Sequence, residues 1–182
     1  MKRRHILALS LAVAALCSCG RSQAPRAKGF ATLGAGALTS VHYPVGGEVC
    51  RLTLKDESSK FHLVVEPTDG LDANLAALLK GELEFALVTL DGLEKNPGRG
   101  LRAVLALRLD AGQPVILATT ERVDAAQVRA VAKAVNDNFA EFKDSHPALG
   151  SLRQEDLFPK LGVPYHQGVL DYRRATPTGS NS

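Results

Sequence analysis

The sequence predicts an α/β fold in which helices flank a mostly parallel sheet. Apolar segments typical of strands occur at residues 30–33, 62–66 and 85–90, and helical patterns lie between them. Strands separated by helices at this spacing form right-handed βαβ crossovers, which make neighbouring strands parallel. A long helical period that begins at Asp124 completes the alternation of strands and helices.

The first residues have the order of a secretory signal. Three basic residues at positions 2–4 precede an apolar run at 6–16, which is too short to span a bilayer well. The sequence Leu-Cys-Ser-Cys at 16–19 resembles the lipobox of bacterial lipoproteins, which implies cleavage after residue 18 and a lipid on Cys19. This interpretation places the chain in the periplasm or cell envelope, anchored to a membrane. An ordinary signal peptide with an incidental cysteine is the alternative.

The positive charge of the chain belongs to this leader. The chain has 22 basic and 19 acidic residues, and residues 1–18 contain three of the basic ones and none of the acidic ones. The remaining balance of 19 to 19 argues against nucleic acid as a partner. Besides Cys19, that part of the chain keeps only Cys50, so we expect no internal disulfide.

Composition divides the chain into four parts. We expect a signal peptide at 1–18, a polar linker at 19–29, a single α/β lobe at 30–174 and a disordered tail at 175–182. The linker contains Pro25 and no apolar period, and the tail is rich in small polar residues. The central part is long enough for one domain with its own core.

Capping residues set the expected helix boundaries. The first helix begins within residues 39–44, and Asp72 caps a second helix at 73–80, which Gly81 ends. A shorter helix is expected within 154–161. Two more strands are expected at residues 101–107 and 114–119.

The helix that starts at Asp124 has the clearest pattern. Asp124 and Gln127 have capping-box spacing, and apolar residues then keep a helical period for five turns, as far as Phe142. His146 closes this helix because a proline follows it.

The chain lacks the usual catalytic and metal-binding motifs. The four histidines outside the leader have no metal-ligand spacing, and no GxSxG elbow, Walker loop or HExxH sequence occurs. The acidic pairs Glu82/Glu84 and Glu155/Asp156 are typical of solvated helix ends and turns. We therefore expect no enzymatic activity, no metal and no cofactor.

Three loops, at 34–40, 67–72 and 89–92, follow the carboxyl ends of predicted parallel strands. Ligands bind at that edge in open α/β sheets. Hydroxyls, an amide and helix N-termini suit a small polar or carboxylate ligand. The same residue types also cap helices and form turns, and that alternative stays open for the aspartates. The candidate ligand-binding residues are Thr39, Ser40, Thr68, Asp69, Asn74, Thr89 and Asp91.

One family has a similar order of motifs. FATLGAGALTSVHYPVGGEVCRL at 30–52 resembles the opening of the TAXI family of solute receptors for tripartite (TRAP) transporters, which has an apolar strand, a TGG-like turn and a Tyr-Tyr-Pro-x-Gly-Gly segment. The similarity continues through VVEPTDG at 64–70, Asn74-Leu75 and GELEFALV at 81–88. VPYHQG at 163–168 is similar to the family's closing Val-Pro-x-His-x-Gly-Ala segment. Together the matches cover about 30–109 and 114–174.

The resemblance implies a lobe of the type II periplasmic-binding-protein-like fold. It also implies a receptor for a small polar solute, such as an amino acid or organic acid, that serves TRAP permease subunits without a cofactor. Gly36 and Tyr43 fit the family pattern and join the candidate ligand-binding residues, as Thr68, Asn74 and Asp91 also fit it.

The departures from the family pattern concern length and loop chemistry. Family receptors have about twice this length because they carry a second lobe; here 101–108 resembles the end of the outgoing part and 122–143 already resembles the return. The second lobe is therefore expected to be missing. In the loops, His42 replaces a tyrosine, Asp69 replaces a glycine, and Leu71 and Leu90 replace hydroxyl residues. The added carboxylate of Asp69 disfavours an anion.

Two functions follow as expectations. The first is an extracytoplasmic solute-binding receptor component with weakened or altered binding of a small polar solute. The alternative is a non-transporting envelope interaction lipoprotein that keeps the receptor fold without its ligand. In that case the exposed former inter-lobe face would bind a partner or form a homodimer.

Overall fold

The computed structural model describes residues 29–56, 61–109 and 114–176, in which helices flank a five-stranded mixed sheet. The strands are β1 (Phe30–Gly36), β2 (His62–Pro67), β3 (Phe85–Thr89), β4 (Leu101–Leu107) and β5 (Val115–Thr120). The helices are α1 (His42–Leu54), α2 (Leu71–Lys80), α3 (Leu90–Glu94), α4 (Ala125–Asp137), α5 (Phe139–Asp144) and α6 (Gln167–Ala175). Short 3-10 turns occupy Pro147–Leu149 and Gln154–Leu157. The predicted α/β class is confirmed.

The strand order is β2-β1-β3-β5-β4. β1 pairs in parallel with β2 and with β3, whereas β5 runs antiparallel to both β3 and β4. The sheet is thus mixed, and the prediction of a mostly parallel sheet missed the reversal at β5. The connection from β4 to β5 is too short for a helical crossover, which requires about a dozen residues, so the two neighbours form an antiparallel pair.

Alternating side chains of the strands build two apolar layers, one on each face of the sheet. On one face, Leu33, Leu63 and Phe85 pack in a cluster that also contains buried residues of α1, α4 and α6. On the other face, Val88 and Ile116 belong to a cluster with residues of α2 and α3. Strand β5 is buried along its whole length because both layers cover it.

The capping predictions have mixed outcomes. The carboxylate of Asp124 accepts hydrogen bonds from the backbone N–H groups of Ala126 (2.8 Å) and Gln127 (3.3 Å), which confirms it as the N-cap of α4. Gly81 ends α2 in the left-handed conformation, as predicted. Asp72 is not the N-cap of α2: Gly70 occupies that position with φ of 123°, and Asp72 lies in the first turn.

The long helix predicted after Asp124 is broken into α4 and α5. Asn138 leaves the helical conformation, and its side-chain amide donates to the carbonyl of Ala134 at 2.8 Å. That bond satisfies a carbonyl near the end of α4, which explains how the chain turns there without losing the apolar period. The helix expected within 154–161 is limited to the 3-10 turn at Gln154–Leu157.

Several predictions fall wholly or partly outside the described residues. The signal peptide at 1–18, Cys19 and the linker up to residue 28 lie outside them, as does the tail after residue 176. Ala175, predicted to begin the tail, is the last residue of α6. No helix within the described ranges is long and apolar enough to cross a membrane.

Two adjacent glycines of α1 test how closely this helix packs on the sheet. A Cβ at Gly46 would lie 2.7 Å from the Cβ of Ala35 on β1, whereas a Cβ at Gly47 would meet nothing within 4 Å. We expect Gly46→Ala to lower the free energy of unfolding by about 1–3 kcal/mol through overpacking. Gly47→Ala should raise it by about 0.5–1 kcal/mol through helix propensity. Urea denaturation followed by circular dichroism measures both, and effects of the same sign would contradict the close packing.

Candidate functional site

The three predicted loops converge at one edge of the sheet, which we call the carboxyl edge (residues 34–43, 67–74 and 89–92). Strands β1, β2 and β3 share a direction and end there, and α1, α2 and α3 begin there. The backbone N–H of Thr68 donates to the carbonyl of Gly36 at 3.0 Å, which joins the first two loops. The structure thus brings the sequence-predicted residues to a single surface.

Asn74 connects all three strands at this edge. Its side chain on α2 is fully buried. The amide nitrogen donates to the carbonyl of Gly34 at the end of β1 (3.0 Å) and to that of Leu87 on β3 (2.8 Å). The amide oxygen accepts from the hydroxyl of Thr68, which follows β2. Both N–H donors are therefore used within the protein, and the structure gives Asn74 a positioning role.

The close approach of α2 to β1 requires a glycine at position 34. A Cβ there would lie 2.8 Å from the amide oxygen of Asn74 and 2.4 Å from a methyl group of Leu83. Any side chain would push α2 outward and break the Asn74 bonds. The loop at 34–40 is recognisable in the sequence, but this contact is not, because only the folded chain shows which helix covers Gly34.

Two of the predicted hydroxyl residues form hydrogen bonds within their own loops, and a third is exposed. Ser40 donates to the carbonyl of Ala37 at 2.8 Å, and the hydroxyl of Thr89 accepts from the backbone N–H of Gly92 at 3.0 Å as the N-cap of α3. These are the bonds expected if the hydroxyl residues form turns and cap helices, which is the alternative to ligand binding. Thr39 is exposed on the loop between β1 and α1. Gly36 precedes that loop with φ of 100°, a left-handed conformation that favours glycine.

The acidic residues make the carboxyl edge electronegative around α2. Asp69 is exposed and makes no ion pair with any described residue, and Asp72 is exposed in the first turn of α2. The carboxylate of Asp91 lies 2.8 Å from the ammonium of Lys95, which partly balances its charge. A dianion would be repelled at Asp69, whereas an ammonium group would be attracted there.

The start of α1 contributes apolar surface and one backbone donor, and the start of α2 contributes further backbone donors. Tyr43 is half-buried and packs against the main core. Burial lowers the pKa of His42, so its imidazole is neutral at pH 7 and adds no positive charge. Neither Val41, the N-cap of α1, nor Gly70, the N-cap of α2, accepts a side-chain hydrogen bond into its helix. In α1, Pro44 has no N–H and the N–H of Tyr43 donates to the carbonyl of Ser40 at 3.2 Å, so His42 supplies the one free first-turn donor among the described residues there. The first-turn N–H groups of α2, at residues 71–73, carry partial positive charge at this edge.

The chemistry available at the carboxyl edge is recognition by hydrogen bonds and charge. The edge combines backbone donors, hydroxyls and the Asp69 carboxylate on an open surface. A hollow of about 410 Å³, lined by Leu52, Lys55 and Asn138 among others, lies at the other end of α1 and does not belong to this edge. No group of three or more potential metal ligands occurs among the described residues.

The buried bonds of Asn74 give a direct test of its positioning role. Asn74→Ala leaves the carbonyls of Gly34 and Leu87 buried without this donor, so we expect the free energy of unfolding to fall by about 2–4 kcal/mol. The matched control is Asn96→Ala, which removes a side-chain amide bond to the Gly92 carbonyl at 2.9 Å on α3. That bond is only partly buried, so its loss should cost less than about 1 kcal/mol. Equal losses in urea denaturation would contradict the special role of Asn74.

No family model matches this chain, and no curated protein matches it. A functional hypothesis therefore depends on the motif order in the sequence and on the geometry of the carboxyl edge.

Proposed function

We propose that the chain is a single-lobe relative of TAXI-family solute receptors and that its carboxyl edge binds a small zwitterionic solute, an amino acid, with low affinity. The convergence of the three loops carries this proposal. Asn74 holds their ends in fixed relative positions through bonds of 3.0 Å and 2.8 Å, so the exposed groups around it form a preset surface.

The position of β5 supports a receptor lobe of the type II periplasmic-binding-protein-like fold. The motif order puts the missing second lobe between residues 108 and 122. In the sheet, β4 ends at Leu107, just before this stretch, and its antiparallel neighbour β5 (Val115–Thr120) lies within it. A chain that left after β4, built another lobe and returned through β5 would therefore enter and leave this sheet at adjacent positions. The mixed sheet is compatible with the loss of such a lobe and its replacement by a short connection.

The charge distribution favours a zwitterion over an organic dianion. A single carboxylate of the solute accepts hydrogen bonds from the backbone N–H of His42 at the start of α1 and from the exposed hydroxyl of Thr39. The ammonium group of the same solute lies near Asp69, which has no ion partner among the described residues. Since Asp69 and Asp72 flank the start of α2, a second carboxylate would meet like charge there.

The open geometry limits the affinity. Two-lobed receptors close over their solute and exclude water, whereas Asp69 and Asp91 here are both exposed. Exposed charge pairs contribute only about 0.2–1 kcal/mol each. We therefore expect a dissociation constant of about 1 mM, which corresponds to about 4 kcal/mol.

Under this proposal the cellular setting is the envelope. A lipid on Cys19 holds the lobe at a membrane, where TRAP permease subunits are the partners that a receptor of this family serves. The chain then acts before the membrane transport step by collecting the solute.

One observation favours a second candidate, the non-transporting interaction lipoprotein. Leu38 is 64% exposed at the carboxyl edge, beside the candidate residue Thr39. A partner protein that covered the whole carboxyl edge would bury this side chain. This candidate assigns the former inter-lobe face to a partner or to a homodimer instead of a solute.

Calorimetric titration of the purified full chain with amino acids and with dicarboxylates tests solute binding. At least one amino acid should bind with a dissociation constant of about 1 mM, and dicarboxylates should bind more weakly. Asp69→Asn should weaken amino-acid binding about two- to fivefold, the loss of one exposed charge pair. Asp144→Asn is the matched control, because Asp144 is an exposed carboxylate at the end of α5. Absence of any binding at millimolar solute would sink the receptor proposal and leave the interaction lipoprotein.

A further inference from the structure

The two lateral edges of the sheet differ in how they are covered. The outer side of β4 is paired: the backbone N–H of Ala103 donates to the carbonyl of Pro164 (3.0 Å), and the Ala103 carbonyl accepts from the N–H of His166 (3.0 Å). These bonds form a parallel bridge between Ala103 and Tyr165. β2 lies at the opposite edge, where its one partner strand among the described residues is β1. Within the described part of the chain, one edge of the sheet is therefore covered by backbone and the edge at β2 is open.

Alternation along β2 decides which backbone groups face outward. The N–H of His62 donates to the carbonyl of Gly29 at 2.7 Å, so His62 directs its backbone groups towards β1. Val64 and Glu66 do the same by the two-residue period of a strand. Leu63 and Val65 consequently direct their N–H and carbonyl groups away from the sheet, where an added strand would pair with them.

An exposed apolar patch lies on β2 and on the start of its neighbour β1. Phe30 is 51% exposed and Val64 is 48% exposed, on the face of the sheet away from α1. The rings of Phe30 and His62 stack with their centroids 5.0 Å apart. Natural proteins usually protect an open edge with lysine, a bulge or early proline, but in β2 the only proline is Pro67, its last residue. An edge of this kind favours pairing with another strand.

We propose that β2 pairs antiparallel with β2 of a second copy of this chain, about a two-fold axis at Val64. In this register Val64 faces Val64 of the second copy, and Leu63 faces Val65. His62 faces Glu66 of the second copy, which places an imidazole opposite a carboxylate at both ends of the pair. The strand is thus complementary to itself in shape and in hydrogen-bonding groups, as a two-fold interface requires.

Neighbouring registers are less favourable. A shift of two residues in one direction puts Val64 opposite Glu66, and a shift in the other puts His62 opposite Val64, so both lose the imidazole–carboxylate pairs. In the proposed register the outward groups of Leu63 and Val65 form four hydrogen bonds across the axis. Pro67, which has no N–H to donate, falls at the end opposite Phe61. The sequence of β2 therefore selects one register.

Disulfide trapping tests this arrangement in the full chain. Residues that face each other in a non-hydrogen-bonded antiparallel pair have Cα atoms about 4.5 Å apart, a separation that a disulfide spans. Val64→Cys should therefore form a covalent dimer under mild oxidation. Cys50 will not compete, because it is buried and burial raises the pKa of its thiol to about 12. The unsubstituted chain reports any cross-linking through Cys17 and Cys19.

Leu38→Cys is the matched control, since Leu38 is exposed at the carboxyl edge and not at β2. It should cross-link no more than the unsubstituted chain. No dimer from Val64→Cys beyond that background would overturn the proposal. Cross-linking of Leu38→Cys at the same level as Val64→Cys would also overturn it, because the dimer would then use the former inter-lobe face.

Sedimentation equilibrium provides a second measurement without oxidation. Val64→Lys places two ammonium groups at the centre of the pair and should leave a monomer, whereas Val64→Thr should keep the dimer. Val64 is 48% exposed, so both variants are expected to fold. An unsubstituted chain that stays monomeric up to about 1 mM, a concentration that detects even weak association, would contradict the proposal.

Discussion

The side-chain amide of Asn74 holds the end of β1 and β3 and the loop after β2 in one arrangement, and the carboxyl edge depends on it. β1 and β3 pair only at Leu33 and Gly34, and the hydrogen bonds of Asn74 join the two strands where this pairing ends. The amide fits because position 34 is a glycine, which leaves room for α2. A buried polar group is costly unless it is paired, so this contact fixes the geometry rather than merely adding stability.

The exposure of the carboxyl edge and the mixed sheet both depend on the connection between β4 and β5. A short connection forces β5 to run against β4, and β5 then occupies the position beside β3. A longer insertion at that point would project from the same end of the sheet where β1, β2 and β3 finish, because β4 runs in their direction. The short connection present at that point leaves the candidate residues of the carboxyl edge exposed.

Local features of the sequence predicted most of the elements, because strand and helix periods and caps such as Asp124 and Gly81 act within a few residues. The sequence could not predict features that depend on tertiary neighbours. Asn74 was correctly placed at the carboxyl edge, but its burial depends on β3. The break at Asn138 does not interrupt the apolar period, so the period does not predict the break. The placement of β5 depends on pairing between segments, which periodicity does not encode.

The proposed use of β2 and that of the carboxyl edge are compatible because they involve different sides of the sheet. Antiparallel pairing of β2 about a two-fold axis adds the strands of the second copy beside β2 and reverses their direction. The two carboxyl edges then lie at opposite ends of a ten-stranded sheet and stay accessible to a solute. A dimer built through the carboxyl edge would instead cover Leu38, Thr39 and Asp69 in both copies. Solute binding by a dimer is therefore expected only with the β2 arrangement.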